Sequence, residues 1–302
     1  MLLFMGSVQL GLIYALLALG IFVSFRVLNI PDLTADGSFT LGLSVSAALT
    51  AAGNPIFGLA MGMLCGAAAG MCTGALQTKL AIHSILSGII TMSSLYTVNL
   101  FVLGSRSNVT LIGSNTIFTM ATRAFGLNRE LVKTLLPLLL CVALAGALRW
   151  FFRTHLGLCI RATGNNEAMV RASSINGDMM KITALGVSNG CVALSGAVLA
   201  QYQGFADIGS GVGIMVVGLA SAIIGEAFFG RRSVGIGLLS AIFGSLVYRL
   251  IIAVALSGNF FPAYALKLVS AAIVVLALSL PAARGRLSLM KARREARRNV
   301  GA

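Results

Sequence analysis

Long apolar runs recur along this chain, each about the length of a membrane-crossing helix and separated by short polar breaks. Windows of mainly apolar residues fall at about 5–24, 33–52, 55–76, 80–103, 131–152, 181–203, 214–230, 234–257 and 263–281. A helix needs about 20 such residues to cross a hydrocarbon layer of about 30 Å. The runs are continuous and do not alternate, and a helix satisfies its own backbone hydrogen bonds, so helices are expected over a barrel. The pattern therefore predicts an all-α polytopic bundle of about nine spans (8–10), in a transmembrane domain over residues 1–283 and a basic tail over 284–302.

Composition supports this expectation. Hydrophobic residues make up 58% of the 302 and charged residues 10%, with a mean hydropathy of +0.95, more apolar surface than a water-soluble core accounts for. Many of the 35 glycines lie inside the windows, and Gly62, Gly66, Gly70 and Gly74 fall four apart on one helical face. A stripe of that kind lets two helix backbones approach closely.

Lys and Arg set the expected orientation. With the C-terminus cytoplasmic and nine alternating spans, 16 of the 22 basic residues lie inside: Arg26, Lys79, Arg149, Arg153, Arg161, Arg171, Lys181, Arg231, Arg232 and the seven within 284–298. The N-terminus is then outside. Arg106, Arg123 and Arg129 oppose the rule from an expected loop of about 25 residues beside Glu130. The net charge of +14 is densest at RGRLSLMKARREARR, directly after the last window and without aromatic residues. That arrangement reads as an anchor on anionic membrane lipid, not as a nucleic-acid surface. Residues 1–24 lack a basic start, so they read as a first span and not as a cleaved signal.

Catalytic chemistry is not legible. Cys65, Cys72, Cys141, Cys159 and Cys191 form no CxxC pair and read as small apolar residues; His83 and His155 stand alone near expected cytoplasmic ends. No metal-ligand cluster, triad or phosphate-binding GxxxxGK[ST] loop is present, so ATP, if used, binds elsewhere.

Two polar interruptions carry the functional argument. In NIPDLTADGSF (residues 29–39) Pro31 interrupts helix geometry, Gly37 permits bending, and Asp36 falls where a second span already enters lipid. An ionisable residue there is costly unless it faces protein or a wet cavity. Two readings stay open. Asn29, Pro31, Asp32, Thr34, Asp36, Gly37 and Ser38 form a broken helix beside a substrate route, as discontinuous helices do in transporters, or Asp32 and Asp36 cap the second span. GFADIGSGVG (residues 204–213) loosely echoes this segment through Asp207 and suggests two related halves; the competing reading of Asp207 is an ordinary loop.

The third feature is LGLCIRATGNNEAMVRASSINGDMMK (residues 156–181), a charged stretch between apolar windows. From Asn165 it can cap a helix with Ala168, Ala172 and Ile175 as a small apolar edge and Glu167–Arg171 as an i, i+4 pair; Asn176–Gly177 is expected to end that helix. A solvated connecting loop is the alternative.

Taken with RATGNNEAMVRASSINGDMMKITALGVSNGCVALSGAVLAQYQG and GIMVVGLASAIIGEAFFG, the segment NIPDLTADGSFTLG resembles the membrane subunit of bacterial ABC importers of the branched-chain amino acid and ribose permease family, nearest the branch linked to tryptophan and other amino acids. The likeness runs over about residues 5–281, and its central block is its specific part. It implies that Gly164, Asn165, Asn166, Glu167, Ala168, Arg171, Ala172, Ile175 and Gly177 form a cytoplasmic coupling helix seated on a separate ABC ATPase subunit, where ATP and Mg bind. It further implies a second permease copy, an extracytoplasmic substrate-binding protein, a bacterial plasma (inner) membrane location and alternating access for a small polar solute, an amino acid of possible aromatic type. No catalysis and no cofactor are expected in this subunit. The rival readings are an ion-coupled secondary transporter using Asp36, Glu226 or Arg249, and a membrane-embedded enzyme.

Overall fold

The computed structural model describes residues 2–230 and 233–257, with positions 268, 271, 272 and 275. Apart from those four positions the expected span 263–281 lies outside the described residues, as do Arg231, Arg232 and the basic tail. Eight of the expected windows are helical: α1 (Leu2–Ile21, continued by a π-helical turn Phe22–Val27), α2 (Thr34–Ala51), α3 (Pro55–Lys79), α4 (Ser84–Val102), α6 (Arg129–Phe151), α9 (Gly177–Gln203), α10 (Ile214–Phe229) and α11 (Val234–Ser257). Between them lie α5 (Ile117–Phe125), α7 (His155–Asn165), α8 (Glu167–Ala172) and the strands β1 (Asn108–Thr110) and β2 (Phe205–Asp207).

Among the described residues, seven helices are long and apolar enough to cross a membrane. α2 is not one of them. Its sequence alternates Thr34, Asp36, Ser38, Thr40, Ser44, Ser46 and Thr50 with apolar residues, and most of it is buried. A helix enclosed by other helices does not meet lipid and tolerates this polarity, because neighbouring helices satisfy its hydroxyls. Ser46 Oγ donates to the Ala197 carbonyl at 3.0 Å, and Gln201 Nε2 donates to Ser46 Oγ at 3.0 Å.

Burial separates an inner from an outer layer. The apolar windows of α1 and α9 are 83% and 78% buried, while those of α3, α4 and α6 are 33%, 28% and 28%. The outer helices therefore turn Phe57, Leu64, Leu86, Phe101, Leu139 and Val142 outward, as lipid-facing surfaces do.

Small residues let the inner helices touch. Gly62, Gly66, Gly70 and Gly74 of α3 are buried and face α9. A Cβ at Gly66 would meet the Ala193 side chain and the Asn189 carbonyl, and one at Gly74 would lie 2.7 Å from the Ile182 Cα. Serines stitch α1 to its neighbours: Ser188 Oγ donates to Gly20 O, Ser195 Oγ to Ile13 O and Ser245 Oγ to Gly11 O, each at 2.8 Å. Hydrogen bonds of this kind are worth about 0.6–2 kcal/mol each between membrane helices.

The segment between α4 and α6, expected as a loop, contains β1 and α5. β1 pairs antiparallel with β2, Val109 opposite Ala206. α5 forms because Thr116 and Thr119 make a reciprocal capping box, and it stops at Gly126 in the left-handed region (φ 62°). Of the three residues that oppose the charge rule, Arg106 precedes β1, Arg123 lies on α5 and Arg129 opens α6.

Candidate functional site

The π-helical turn closing α1 ends at Val27, and residues 28–33 fold back into the bundle before α2 begins. Asn29 takes a left-handed conformation (φ 58°), which asparagine adopts more readily than most residues. Asp32 is buried; its Oδ1 accepts from the Thr34 N–H at 2.9 Å, and its Oδ2 accepts from Asn189 Nδ2 at 2.5 Å. Asn189 lies twelve residues into α9, about 18 Å along its axis at 1.5 Å per residue. The start of α2 is thus level with the middle of the longest helix. Thr34 Oγ1 and Thr73 Oγ1 lie 2.8 Å apart and fasten the same turn to α3.

Asp36 does not cap α2. The residue before α2 is Leu33, which makes no side-chain capping bond. The Asp36 carboxylate instead crosses to α10, where Oδ2 accepts from the Gly213 N–H and Oδ1 from the Met215 N–H, both at 2.8 Å. An aspartate there satisfies two of the unpaired donors at a helix N-terminus and complements its dipole. Of the two aspartates in the capping reading, Asp32 does take the first N–H of α2, whereas Asp36 serves a different helix, since sequence spacing shows only local partners and this one is 177 residues away.

Around Asp36 lies a cavity of about 370 Å³ lined by Gly37, Thr40, Met92, Ser93, Tyr96, Asn99, Ile208, Gly211 and Val212. Asn99 donates to the Gly37 carbonyl at 3.3 Å, while its buried Oδ1 has no partner. Ser93, Ser94, Tyr96 and Thr97 form an exposed polar patch halfway along α4. Sequence reasoning missed Asn99, Ser93 and Tyr96, although an asparagine deep in an apolar window is an available signal.

The expected route residues therefore divide. Asp36 and Gly37 line the cavity; Asp32 and Thr34 tie α2 to α9 and α3. Ser38 is buried with an unpartnered hydroxyl. Pro31 lies in the incoming segment, and Asn29 lines a different cavity of about 370 Å³ with Gly164, Asn165 and Glu167. Asp207 stands apart: it ends β2, and its Oδ1 accepts from the Gly209 N–H at 2.9 Å.

The charged stretch 156–181 holds two helices, not one. α7 is capped by Thr154 and α8 by Asn166, whose Oδ1 accepts from the Met169 N–H at 3.1 Å. The expected terminator does not act as one. α8 ends as Ser174 takes a left-handed conformation (φ 60°), and Asn176 caps the following helix, accepting from Asp178 and Met179 N–H at 3.1 Å each. Gly177 is thus the first residue of α9, and Asn-Gly reads as a start because Asn is among the best N-caps. Ala168 and Ala172 are exposed and Ile175 half-buried, while Val170 is the buried residue of α8.

Glu167 and Arg171 form the expected pair at 3.0 Å. The cluster extends into α9, with Arg171 3.0 Å from Asp178 and Lys181 2.7 Å from Glu167. The Lys181 hydrogen bond, opposed in part by burial and aided by Arg171, holds the Glu167 carboxyl below its ordinary value. The Glu167 hydrogen bond, with Asp178 beside it, raises the Arg171 guanidinium. Gly164, at the end of α7, packs on the backbone of Val27 and Leu28, so α7 bears on the segment that leads to Asp36.

Among the described residues no group of three His, Cys, Asp or Glu side chains could hold a metal, and the five cysteines are unpaired. Glu226 is paired with Arg26, and the Arg249 guanidinium lies 4.0 Å from the Tyr14 ring centre.

A helical bundle with an enclosed polar helix, lipid-facing outer helices and a cavity that opens at Ser93, Tyr96 and Val212 is the build of an integral membrane transport protein. The family model for the branched-chain amino acid transport system permease component matches residues 3–278. The chain belongs to that permease family, and it is a non-catalytic membrane subunit of a transport system. It is 35% identical over 266 residues, 88% of this chain and 86% of the relative, to the tyrosine transport system permease protein of Clostridioides difficile. An uncharacterized protein of Rickettsia prowazekii is 30% identical, covering 83% of this chain and 86% of its own. The D-allose transport system permease protein of Escherichia coli is 27% identical, covering 77% and 69%. No solved structure matches.

Proposed function

We propose that this chain is the permease subunit of an ATP-driven importer and that its solute is an amino acid, aromatic in the first instance. The observation that carries the reading is the meeting of α2 and α10 inside the bundle at Asp36, beside the cavity that Asn99 and Tyr96 line. Discontinuous helices of this kind bring helix termini and polar groups to the middle of a transporter. The cavity's volume of about 370 Å³ falls in the range of small-molecule sites. Met92, Tyr96 and Val212 offer apolar contact for a side chain, while Asp36 and the unpartnered Asn99 Oδ1 suit an ammonium group. A relative named for tyrosine transport supports the same solute class.

Energy enters, in this reading, through α8. Its exposed alanines and the Glu167–Arg171–Asp178–Lys181 cluster form a short rigid element of the sort that docks in a partner's groove. The residues Gly164 to Gly177 form the contact with a cytoplasmic ATPase that carries ATP and Mg. Movement of α8 passes through α7 to Val27 and Leu28 and so to the start of α2. A second permease copy, an extracytoplasmic binding protein, nine spans and a cytoplasmic C-terminus in a bacterial inner membrane complete the proposed assembly.

Reconstitution tests it. Vesicles holding this chain with its ATPase and binding protein are expected to accumulate tyrosine or tryptophan only with ATP inside. Uptake driven by a proton or sodium gradient without ATP replaces this reading with ion-coupled transport, with Asp36, Glu226 or Arg249 as coupling groups.

A further inference from the structure

At the end of the bundle that carries α7, three arginines converge on one small cavity. Arg149 closes α6, Arg153 follows two residues after that helix ends, and Arg161 lies on α7. Together they line a space of about 170 Å³ with Phe152 and with Ser233, Val234 and Gly235 at the start of α11. None of the described ion pairs involves any of the three. The Arg149 guanidinium also lies directly against Gly235, where a Cβ would collide with it. It is thus held at the N-terminus of α11, the positive end of a 24-residue helix.

That placement is unfavourable by itself, since cations belong at helix C-termini and like charges repel. A phosphate between the guanidiniums and the first turn of α11 reverses both terms. Arginine forks suit its oxygens, and helix N-terminal N–H groups commonly bind such anions. The surrounding surface indicates where the phosphate comes from. Trp150, the single tryptophan of the chain, is 72% exposed beside Arg149, and Leu156, three residues after Arg153, is 49% exposed. Tryptophan concentrates at the boundary between hydrocarbon and headgroups, so the cavity lies at headgroup depth with apolar contact flanking it.

We propose that Arg149, Arg153, Arg161 and the first turn of α11 form a binding site for the headgroup of an anionic phospholipid. The site shares no lining residue with the Asp36 cavity, and it does not depend on the transport reading.

The test uses the purified full-length chain in detergent, titrated with phosphatidylglycerol, phosphatidylcholine or inorganic phosphate, with lipid retention read by native mass spectrometry and thermal unfolding read in parallel. Phosphatidylglycerol is expected to be retained and to raise Tm; phosphatidylcholine is not. Arg161→Gln is expected to weaken retention about fivefold and the triple change Arg149→Gln, Arg153→Gln, Arg161→Gln roughly a hundredfold, while Arg123→Gln, on the cap formed by α5, leaves it unchanged. The single variant decides the matter if the triple one does not fold. Equal retention of both lipids overturns the proposal, as does unchanged retention in folded Arg161→Gln. Inorganic phosphate that raises Tm equally and displaces the lipid makes the ligand free phosphate. Unchanged lipid in the triple variant with loss of a copurifying ATPase makes these arginines a protein dock.

Discussion

The Asp36 carboxylate accepts the backbone N–H of Met215 at 2.8 Å across 179 residues of sequence, and it takes the Gly213 N–H at the same distance. One side chain thereby joins the start of α2 to the start of α10 and faces the cavity between them.

This geometry separates two substitutions. Asp36→Asn keeps one acceptor and loses the charge at the α10 terminus, which costs about 0.3–1 kcal/mol. Its NH2 turns toward the second backbone N–H, leaving one donor unpaired where Asp36→Ala leaves two. It is expected to fold and to be the milder of the two changes. Asp36→Ala leaves two donors unpaired, costing about 1–3 kcal/mol for each that water does not reach. If Asp36 holds the solute ammonium, ATP-driven uptake falls in both variants, and more than stability explains in Asp36→Asn. Unchanged uptake by folded Asp36→Asn assigns the residue to capping alone.

Asn99 gives a second probe of the cavity. Its Oδ1 is buried without a partner, an arrangement that costs stability unless something donates to it. Asn99→Leu is expected to keep or raise Tm in detergent while reducing uptake. A variant that transports normally removes Asn99 from the solute route.

Acid is expected to loosen the junction of α8 and α9. Glu167 is held below its ordinary value of 4.5 by Lys181 first and Arg171 next. A carboxyl depressed in the folded state contributes stability that is complete above its unfolded value and is lost as pH falls through the folded one. Hydrogen exchange at Val170 and Ser173 should therefore be constant from neutral pH down to about 4.5, after correction for intrinsic rates, and should accelerate relative to intrinsic rates below that. Glu167→Gln is expected to abolish this acid transition. Acceleration already present between pH 7 and 5 assigns the transition to another group.

Much of this was readable in advance because membrane helices must be long, apolar and continuous. The windows at 214–230 and 234–257 differ from α10 and α11 by at most one residue at an end. The glycine stripe at 62, 66, 70 and 74 was readable for the same reason, since four-residue spacing fixes one face. What stayed hidden was non-local. Asp36 looked like a cap for its own helix because the partner N–H groups belong to residues 213 and 215. Asn176–Gly177 looked like a stop because Asn-Gly serves both ends of helices, and only the hydrogen bonds to Asp178 and Met179 show which. The site at Asn99 was passed over as part of an apolar window, where one amide among leucines and valines barely changes the hydropathy.

Orientation is open to direct labelling. Asn108, on β1, and Asn165, at the end of α7, are both exposed. If the N-terminus is outside, a membrane-impermeant thiol reagent applied to intact cells reaches a cysteine at 108 and not one at 165 or 299, in a background lacking exposed Cys72. Labelling at 165 or 299 from outside inverts the proposed topology and removes α8 from contact with any cytoplasmic ATPase.

The contact between α3 and α9 predicts opposite outcomes for one substitution at two glycines. A Cβ at Gly66 would run into the Ala193 side chain and lie 2.8 Å from the Asn189 carbonyl, both on the middle of α9, whereas one at Gly146 of α6 meets nothing within 4 Å. Backbone atoms cannot step aside as side-chain ends do, so Gly66→Ala must push the two helices apart. The expected cost is about 1–3 kcal/mol, the usual scale for overpacking. Gly146→Ala is expected to be neutral or to stabilise by up to about 1 kcal/mol, because alanine is the better helix former. Parting α3 from α9 also disturbs Asn189, which donates to Asp32 at 2.5 Å, so Gly66→Ala should weaken the anchoring of α2 as well. Thermal unfolding of the purified chain in detergent measures both variants, and proteolysis within residues 28–33 reports on α2. Equal Tm values for Gly66→Ala and Gly146→Ala would show that the glycine stripe is not what holds α3 against α9.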